Sequence, residues 1–174
     1  LEVDGEGNVN VSAKGLSKPS EYVGPGGFID LTCTADVVLF CTSFSKNETV
    51  ERHGTTLTLK TGSSVSYVPC FVRKVKEITF NAKEALKRGQ IVYYVTSVGA
   101  FKLTENGLQL IYVMPGIDVE KDILLKTTAN IDIPNNDVNA VRVVEESIVT
   151  GNNFKLRLTG SQKNARAPRI HASL

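Results

Sequence analysis

Gly24-Pro25-Gly26-Gly27-Phe28-Ile29-Asp30-Leu31-Thr32 is the stretch on which the reading of this chain turns. A proline followed by two glycines makes a turn in which the backbone reaches positive φ and no Cβ shields the peptide N–H groups. A row of exposed donors can hold an anion. The same residues also make an ordinary turn, so the loop has to be read with its neighbours.

Upstream, residues 1–14 predict a hairpin: Glu2-Val3 turns through Asp4-Gly5-Glu6-Gly7-Asn8 into Val9 and Val11, which alternate with Asn10 and Ser12. Asn8 and Asn10 either serve that turn or point amides at a ligand. Downstream, residues 28–33 fit a strand or a short helix. Val37-Val38-Leu39-Phe40-Cys41 is an unbroken apolar run between Asp36 and Thr42, the pattern of a strand covered on both faces, so it predicts helices over a sheet. Leu57 and Leu59 alternate with threonines, Gly62-Ser63-Ser64 turns, and residues 65–68 lead into Pro69, which together predict a meander at one side of the sheet.

Residues 70–80 read as a further strand carrying the basic cluster Arg73, Lys74 and Lys76, a solvated face or one that meets phosphates. Asn81 with Glu84 three residues on predicts a capped helix, ended by Gly89. Residues 90–98 predict a central strand. Residues 100–104 and 108–113 predict a hairpin across an Asn106-Gly107 type I′ turn, with Leu103 opposite Leu110 and Phe101 opposite Tyr112. Asp118 is placed to cap a short helix with Val119, Ile123 and Leu124 on one side.

Near residue 130 the character changes. Asp132-Ile133-Pro134-Asn135-Asn136-Asp137 reads as a loop, residues 138–149 fit helix or strand, and Phe154-Lys155-Leu156-Arg157-Leu158 alternates like a strand. Residues 160–174 carry Lys163, Arg166 and Arg169 with no acidic residue, a solvated terminus or a grip for a polyanion. The expected fold class is α/β: an open mixed sheet with flanking helices and a β-rich meander, residues 1–130 forming the domain and residues 131–174 an unassigned extension.

The bulk properties narrow the function classes. With 174 residues, 41% hydrophobic and 22% charged, the composition is that of a globular domain. A net charge of +2 gives no bulk attraction for nucleic acid, and the apolar runs are strand-sized, too short for a membrane span. Cys33, Cys41 and Cys70 fit neither a zinc site nor a disulfide framework, and are expected to be buried reduced thiols of an intracellular protein. Asn47-Glu48-Thr49 is read as a chance sequon. His53 and His171 have no nucleophile at a motif spacing, and there is no phosphate-binding P-loop or dinucleotide fingerprint. The chain alone does not read as catalytic, and its start at Leu1 reads as part of something longer.

Taken in order, Gly5-Glu6-Gly7-Asn8-Val9-Asn10, the glycine loop, the Phe40 strand, Arg88-Gly89-Gln90, Phe101-Lys102-Leu103-Thr104-Glu105-Asn106-Gly107-Leu108 and Met114-Pro115-Gly116-Ile117-Asp118-Val119-Glu120-Lys121-Asp122-Ile123 resemble the last part of the class I CoA-transferases of the acetate/3-oxoacid type. The likeness covers about residues 4–125. It implies the C-terminal part of the β half of an enzyme of short-chain acyl or ketone-body metabolism. There a glutamate upstream of the glycine segment attacks an acyl-CoA thioester and passes through a glutamyl-CoA intermediate.

The resemblance implies substrate-binding roles for Gly26, Gly27, Asn8 and Asn10, with the two glycines as oxyanion-hole donors. It implies CoA as substrate and no cofactor or metal. The expected partners are acyl-CoA, a carboxylic acid, the upstream part on the same or another chain, and further copies in a homo-oligomer; neither nucleic acid nor membrane is expected, and cytoplasm and mitochondrion are not distinguished. Glu105 matches a turn residue of the family and not its nucleophile. Ser45-Lys46-Asn47-Glu48 departs from the family's small glycine-containing turn, and Thr127-Thr128-Ala129-Asn130 from its usual ending. The rival reading is a non-catalytic interaction module that kept the scaffold; an unrelated β-rich binding protein is the other alternative.

Overall fold

The computed structural model describes residues 1–13, 22–61 and 68–156. Its centre is a mixed five-stranded sheet built from β3 (Val37–Cys41), β7 (Ile91–Val95), β8 (Gly99–Thr104), β9 (Gly107–Val113) and β10 (Arg142–Val143), in the order β10-β9-β8-β7-β3. β3 runs parallel to β7 and β10 parallel to β9, while β7, β8 and β9 are antiparallel neighbours. This is the α/β mixed-sheet class expected from the sequence.

The N-terminal hairpin forms as predicted, β1 (Glu2–Asp4) against β2 (Val9–Asn10), and β1 adds a parallel partner, β6 (Phe71–Val72). β4 (Glu48–His53) and β5 (Thr56–Thr61) make a separate two-stranded ribbon, in which Leu57 and Leu59, the first arm of the predicted meander, pair with Arg52 and Val50. The predicted turn at Gly62-Ser63-Ser64 lies outside the described residues.

One face of the main sheet is the core. Val38, Phe40, Val92, Tyr94, Phe101, Leu103, Leu108 and Leu110 are buried there. The Phe40 ring meets Phe80 edge-on at 5.1 Å and Tyr94 at 5.4 Å, and Phe71 lies 4.9 Å from Phe101. Such offset and edge contacts add to the hydrophobic gain of burial. Two helices cover this face. α1 (Phe28–Thr34) is tied down by Phe28 stacked on Phe40 at 5.7 Å, and α2 (Ala82–Lys87) buries Ala82 and Ala85 against β7 and β8. Asn81 caps α2 by accepting from the Glu84 N–H, and Gly89 at φ +73 ends it, as the sequence predicts.

The other face corrects the sequence reading. The unbroken apolar run 37–41 predicts cover on both faces, yet burial alternates along β3 and β7: Leu39 is 59% exposed, Val37 48% and Ile91 45%. The outer face is apolar, and none of the described elements covers it as α1 and α2 cover the inner one. The expectation that the cysteines are buried holds for Cys70 alone: Cys41 lies on the outer face of β3 and Cys33 on the exposed side of α1, and all three thiols are free.

The β8–β9 register also differs. Leu103 faces Leu108 and Phe101 faces Leu110, while a bulge between Ala100 and Phe101 sets Ala100 opposite Tyr112. Neither Glu105 nor Asn106 takes positive φ; Gly107 alone does, at +100. The connection is therefore a turn followed by a left-handed glycine, not a type I′ turn. Of the strand expected over 70–80 only Phe71–Val72 forms, so Arg73, Lys74 and Lys76 sit in an exposed loop after it.

After β9, Val119–Ile123 makes a π turn capped by Asp118 and continues as a 3-10 turn. Residue 132 bridges to Gln109, β10 joins β9, and α3 (Glu146–Thr150) follows. Residues 154–156 are exposed and not in a strand; Arg157, Leu158 and the basic tail lie outside the described residues.

Candidate functional site

The loop 24–27 is exposed, and a Cβ placed on Gly24, Gly26 or Gly27 would meet no atom within 4 Å among the described residues beyond its chain neighbours. Packing against the described residues therefore does not require glycine here. Conformation requires it at one position: Gly26 has φ +56, whereas Gly27, the residue that leads into α1, has φ −78. Among the described residues, the N–H groups of Gly26 and Gly27 donate to no partner, while Phe28 N–H turns back to the Pro25 carbonyl at 3.1 Å. Two adjacent donors of an exposed loop are thus left without partners among the described residues.

Both ends of the loop are anchored. On the upstream side Val23 N–H donates to the Ser12 carbonyl at 2.7 Å, and Ala13 bridges to Tyr22. Asn10 fixes that attachment: its Oδ1 accepts from Ser12 N–H at 3.1 Å and Ala13 N–H at 3.0 Å, and its Nδ2 donates to the Ala13 carbonyl at 2.8 Å and Glu2 Oε2 at 3.0 Å. Thr79 Oγ1 supports the same corner through Val11 N–H and the Ser12 hydroxyl. On the downstream side the Phe28 ring holds the start of α1, and Gln90 holds its end by donating to the carbonyls of Thr32 at 2.8 Å and Ala35 at 2.6 Å. Arg88 in turn donates to Gln90 Oε1 through both Nε and Nη2.

Of the four residues singled out in the sequence, the structure groups Asn10 with the glycine pair as a support, and its amide makes four bonds within the chain. Asn8 is bonded elsewhere. Its Oδ1 accepts the Ala82 N–H at the start of α2 at 3.0 Å and its Nδ2 donates to Asp4 Oδ2 at 3.2 Å. Asp4, buried, collects the N–H groups of Glu6, Asn8 and Val75 as well. Asn8 and Asp4 therefore lock the first hairpin to α2. The sequence gives no sign of the Gln90 and Thr79 contacts, because both bridge more than fifty positions along the chain.

Near the same core Tyr94 donates its hydroxyl to the Gly7 carbonyl, and burial, with Asp4 nearby, pushes its phenol far above the ordinary tyrosine range. Burial likewise raises the Cys70 thiol, so it is a poor nucleophile. Glu48, in the turn that departs from the family, accepts the Phe44 and Ser45 N–H groups and the Ser97 hydroxyl. Its carboxylate is committed to holding that turn. Glu105 lies at the exposed tip of the β8–β9 hairpin, as a turn residue should. Among the described residues there is no group of three or more His, Cys, Asp or Glu side chains able to hold a metal, and no helix long and apolar enough to cross a membrane.

No protein-family model matches the chain. Over 127 residues, 72% of its length, it is 39% identical to acetate CoA-transferase YdiF of Escherichia coli K12; over 127 residues, 71% of its length, it is 36% identical to caffeate CoA-transferase of Acetobacterium woodii. The chain spans about a fifth of these relatives, 22% and 23% of their lengths. Among solved structures, the acyl-CoA transferase YdiF of Escherichia coli O157:H7 superposes with a TM-score of 0.72 at 34% identity, covering 84% of this chain and 27% of that one. The decarboxylase AibA/AibB, at TM-score 0.54 and 17% identity over 85% of this chain and 51% of its own, is alike in fold alone. By sequence and by fold, this chain belongs to the CoA-transferase family and corresponds to a part of its members' length.

Proposed function

We propose that the chain is the C-terminal part of the β half of a class I CoA-transferase that moves CoA between a short-chain acyl-CoA and a carboxylic acid. The observation that supports a site on this chain is the exposed loop 24–27, whose Gly26 and Gly27 N–H groups have no partners among the described residues while both of its ends are fixed. In this reading a glutamate elsewhere in the protein attacks the thioester carbonyl. CoA thiolate leaves, and a mixed anhydride forms.

The thiolate then attacks the glutamyl carbonyl and expels the first carboxylate, giving glutamyl-CoA. The acceptor carboxylate repeats the two steps in reverse and regenerates the glutamate. Each attack places negative charge on a carbonyl oxygen. Donors fixed in advance stabilise that charge without reorganisation, which is the role assigned to Gly26 and Gly27. Asn10 holds the loop and need not touch substrate. An intracellular setting, the nucleophile-bearing sequence as a further partner and association into a homo-oligomer belong to the same proposal. The known structure of YdiF as a thioester complex with CoA supports a covalent route for that relative.

The test is to treat the native gene product with acetyl-CoA and then borohydride, which reduces a glutamyl thioester to the alcohol. Inactivation that depends on acyl-CoA, with the reduced residue mapping outside these 174 residues, is expected. A protein that exchanges no CoA and yields no reduced glutamate is the interaction module instead.

A further inference from the structure

Gln90, immediately before β7, is buried and reaches across to the far end of α1, the helix that follows the glycine loop. Its Nε2 donates to the Thr32 carbonyl at 2.8 Å and the Ala35 carbonyl at 2.6 Å, while its Oε1 accepts from Arg88 Nε at 3.2 Å and Nη2 at 2.8 Å. The partners fix the orientation of this amide: a guanidinium only donates and a carbonyl oxygen only accepts, so a flipped amide would lose all of these bonds. Arg88 is itself the C-cap of α2, with its backbone N–H on the Glu84 carbonyl. One side chain thus couples the ends of the two helices that cover the inner face.

α1 depends on this tie. Its 7 residues are too few for a helix to hold itself in water, so tertiary contacts set its place. Ile29, Leu31 and Cys33 are exposed on it, and the Thr32 hydroxyl is spent on the helix's own Phe28 and Ile29 carbonyls. Among the described residues, the side-chain hydrogen bonds that join α1 to the rest of the fold are the two from Gln90, and the Phe28 ring on Phe40 is the apolar tie. Gly27 moves with α1, because its carbonyl accepts the Leu31 N–H at 3.0 Å. We propose that Gln90 is a positioning residue of the transfer reaction, which fixes the Gly27 donor by fixing α1; the proposal rests on the oxyanion role given above to the loop. From Thr32 to Gly27 the helix is about 8 Å long, so a tilt of about 10° at the Gln90 end moves Gly27 by about 1.4 Å. A shift of that size takes a donor out of hydrogen-bond range of the developing oxyanion.

Gln90→Met keeps the length and bulk of the side chain and removes both donors. In the full-length enzyme it should lower kcat and kcat/KM together, by about tenfold or more, with KM for acyl-CoA unchanged within about twofold, because an oxyanion donor acts in the transition state and not on the bound substrate. Hydrogen exchange, read by mass spectrometry with no substrate present, should quicken about tenfold in peptides covering residues 28–35 and stay unchanged in those covering β8 and β9. Arg88→Met leaves the donors but frees the amide from its clamp; it should move both readouts the same way by less, and it carries the test where Gln90→Met does not fold. Unchanged exchange over α1 would overturn the proposal, and so would a rise spread over the whole chain, the mark of a purely structural residue. Faster exchange over α1 with kcat intact would overturn it as well. If Gly27→Ala is then impaired, only the role of Gln90 falls; if Gly27→Ala is fully active, the chemistry assigned to the loop falls with it.

Discussion

The side-chain amide of Asn10 closes on Ala13 from both ends, accepting its N–H at 3.0 Å and donating to its carbonyl at 2.8 Å. Ala13 bridges to Tyr22, and from there the chain enters the glycine loop. Asn10→Ala leaves buried backbone groups without partners and should cost about 2 to 3 kcal/mol, read as a lower urea midpoint of the full-length protein. Asn10→Asp keeps the two accepting contacts but sets a carboxylate beside Glu2, so its deficit should grow as pH rises above the carboxylate range.

The two glycines should separate under substitution. Gly26→Ala, at φ +56, should lose about 1 kcal/mol of stability from left-handed strain alone. Gly27→Ala, at φ −78 with open space around its Cβ, should stay within about 0.5 kcal/mol of the parent. If Gly27 faces the thioester, its methyl should nonetheless cut kcat at least about tenfold by displacing an oxyanion donor. Full transferase activity in a Gly27→Ala enzyme would remove the loop from the site.

Gly99 is a test of the bulged pairing of β8 with β9. A Cβ there would be driven into the Tyr112 backbone carbonyl, which cannot swing aside as a side-chain tip can. Gly99→Ala should cost about 3 kcal/mol, whereas Gly54→Ala, at φ +64 in the open β4–β5 turn, should cost about 1 kcal/mol. Equal thermal shifts for the two would show that the bulge is not packed as described.

Tyr94 predicts an alkaline limb of stability. Burial raises its folded-state pKa, so its contribution is intact below the unfolded-state value of about 10 and is lost as pH rises beyond it, when the unfolded phenol ionises and the buried one does not. Tyr94→Phe should be less stable by about 1 kcal/mol near neutral pH, for want of the bond to the Gly7 carbonyl, and should show a shallower loss above pH 10. Urea titrations at pH 7 and above pH 10 check both statements.

The sequence by itself determined the local elements and the family. The Asn81 cap with Gly89, the hairpin at residues 1–10 and the apolar strands follow from short-range rules, since caps, turns and alternation are decided by residues within a few positions of each other. The glycine loop was visible for the same reason. Register and cover were decided by tertiary structure alone. The bulge that sets Ala100 opposite Tyr112 is fixed by inter-strand packing, and the bare outer face of β3 depends on which side the connections cross, which no composition of residues 37–41 records. The partners of Asn8 and Asn10 were decided there too. An asparagine at a turn has the same amide whatever it meets, and only the approach of Ala82 and Ala13 in the fold gives these two their bonds.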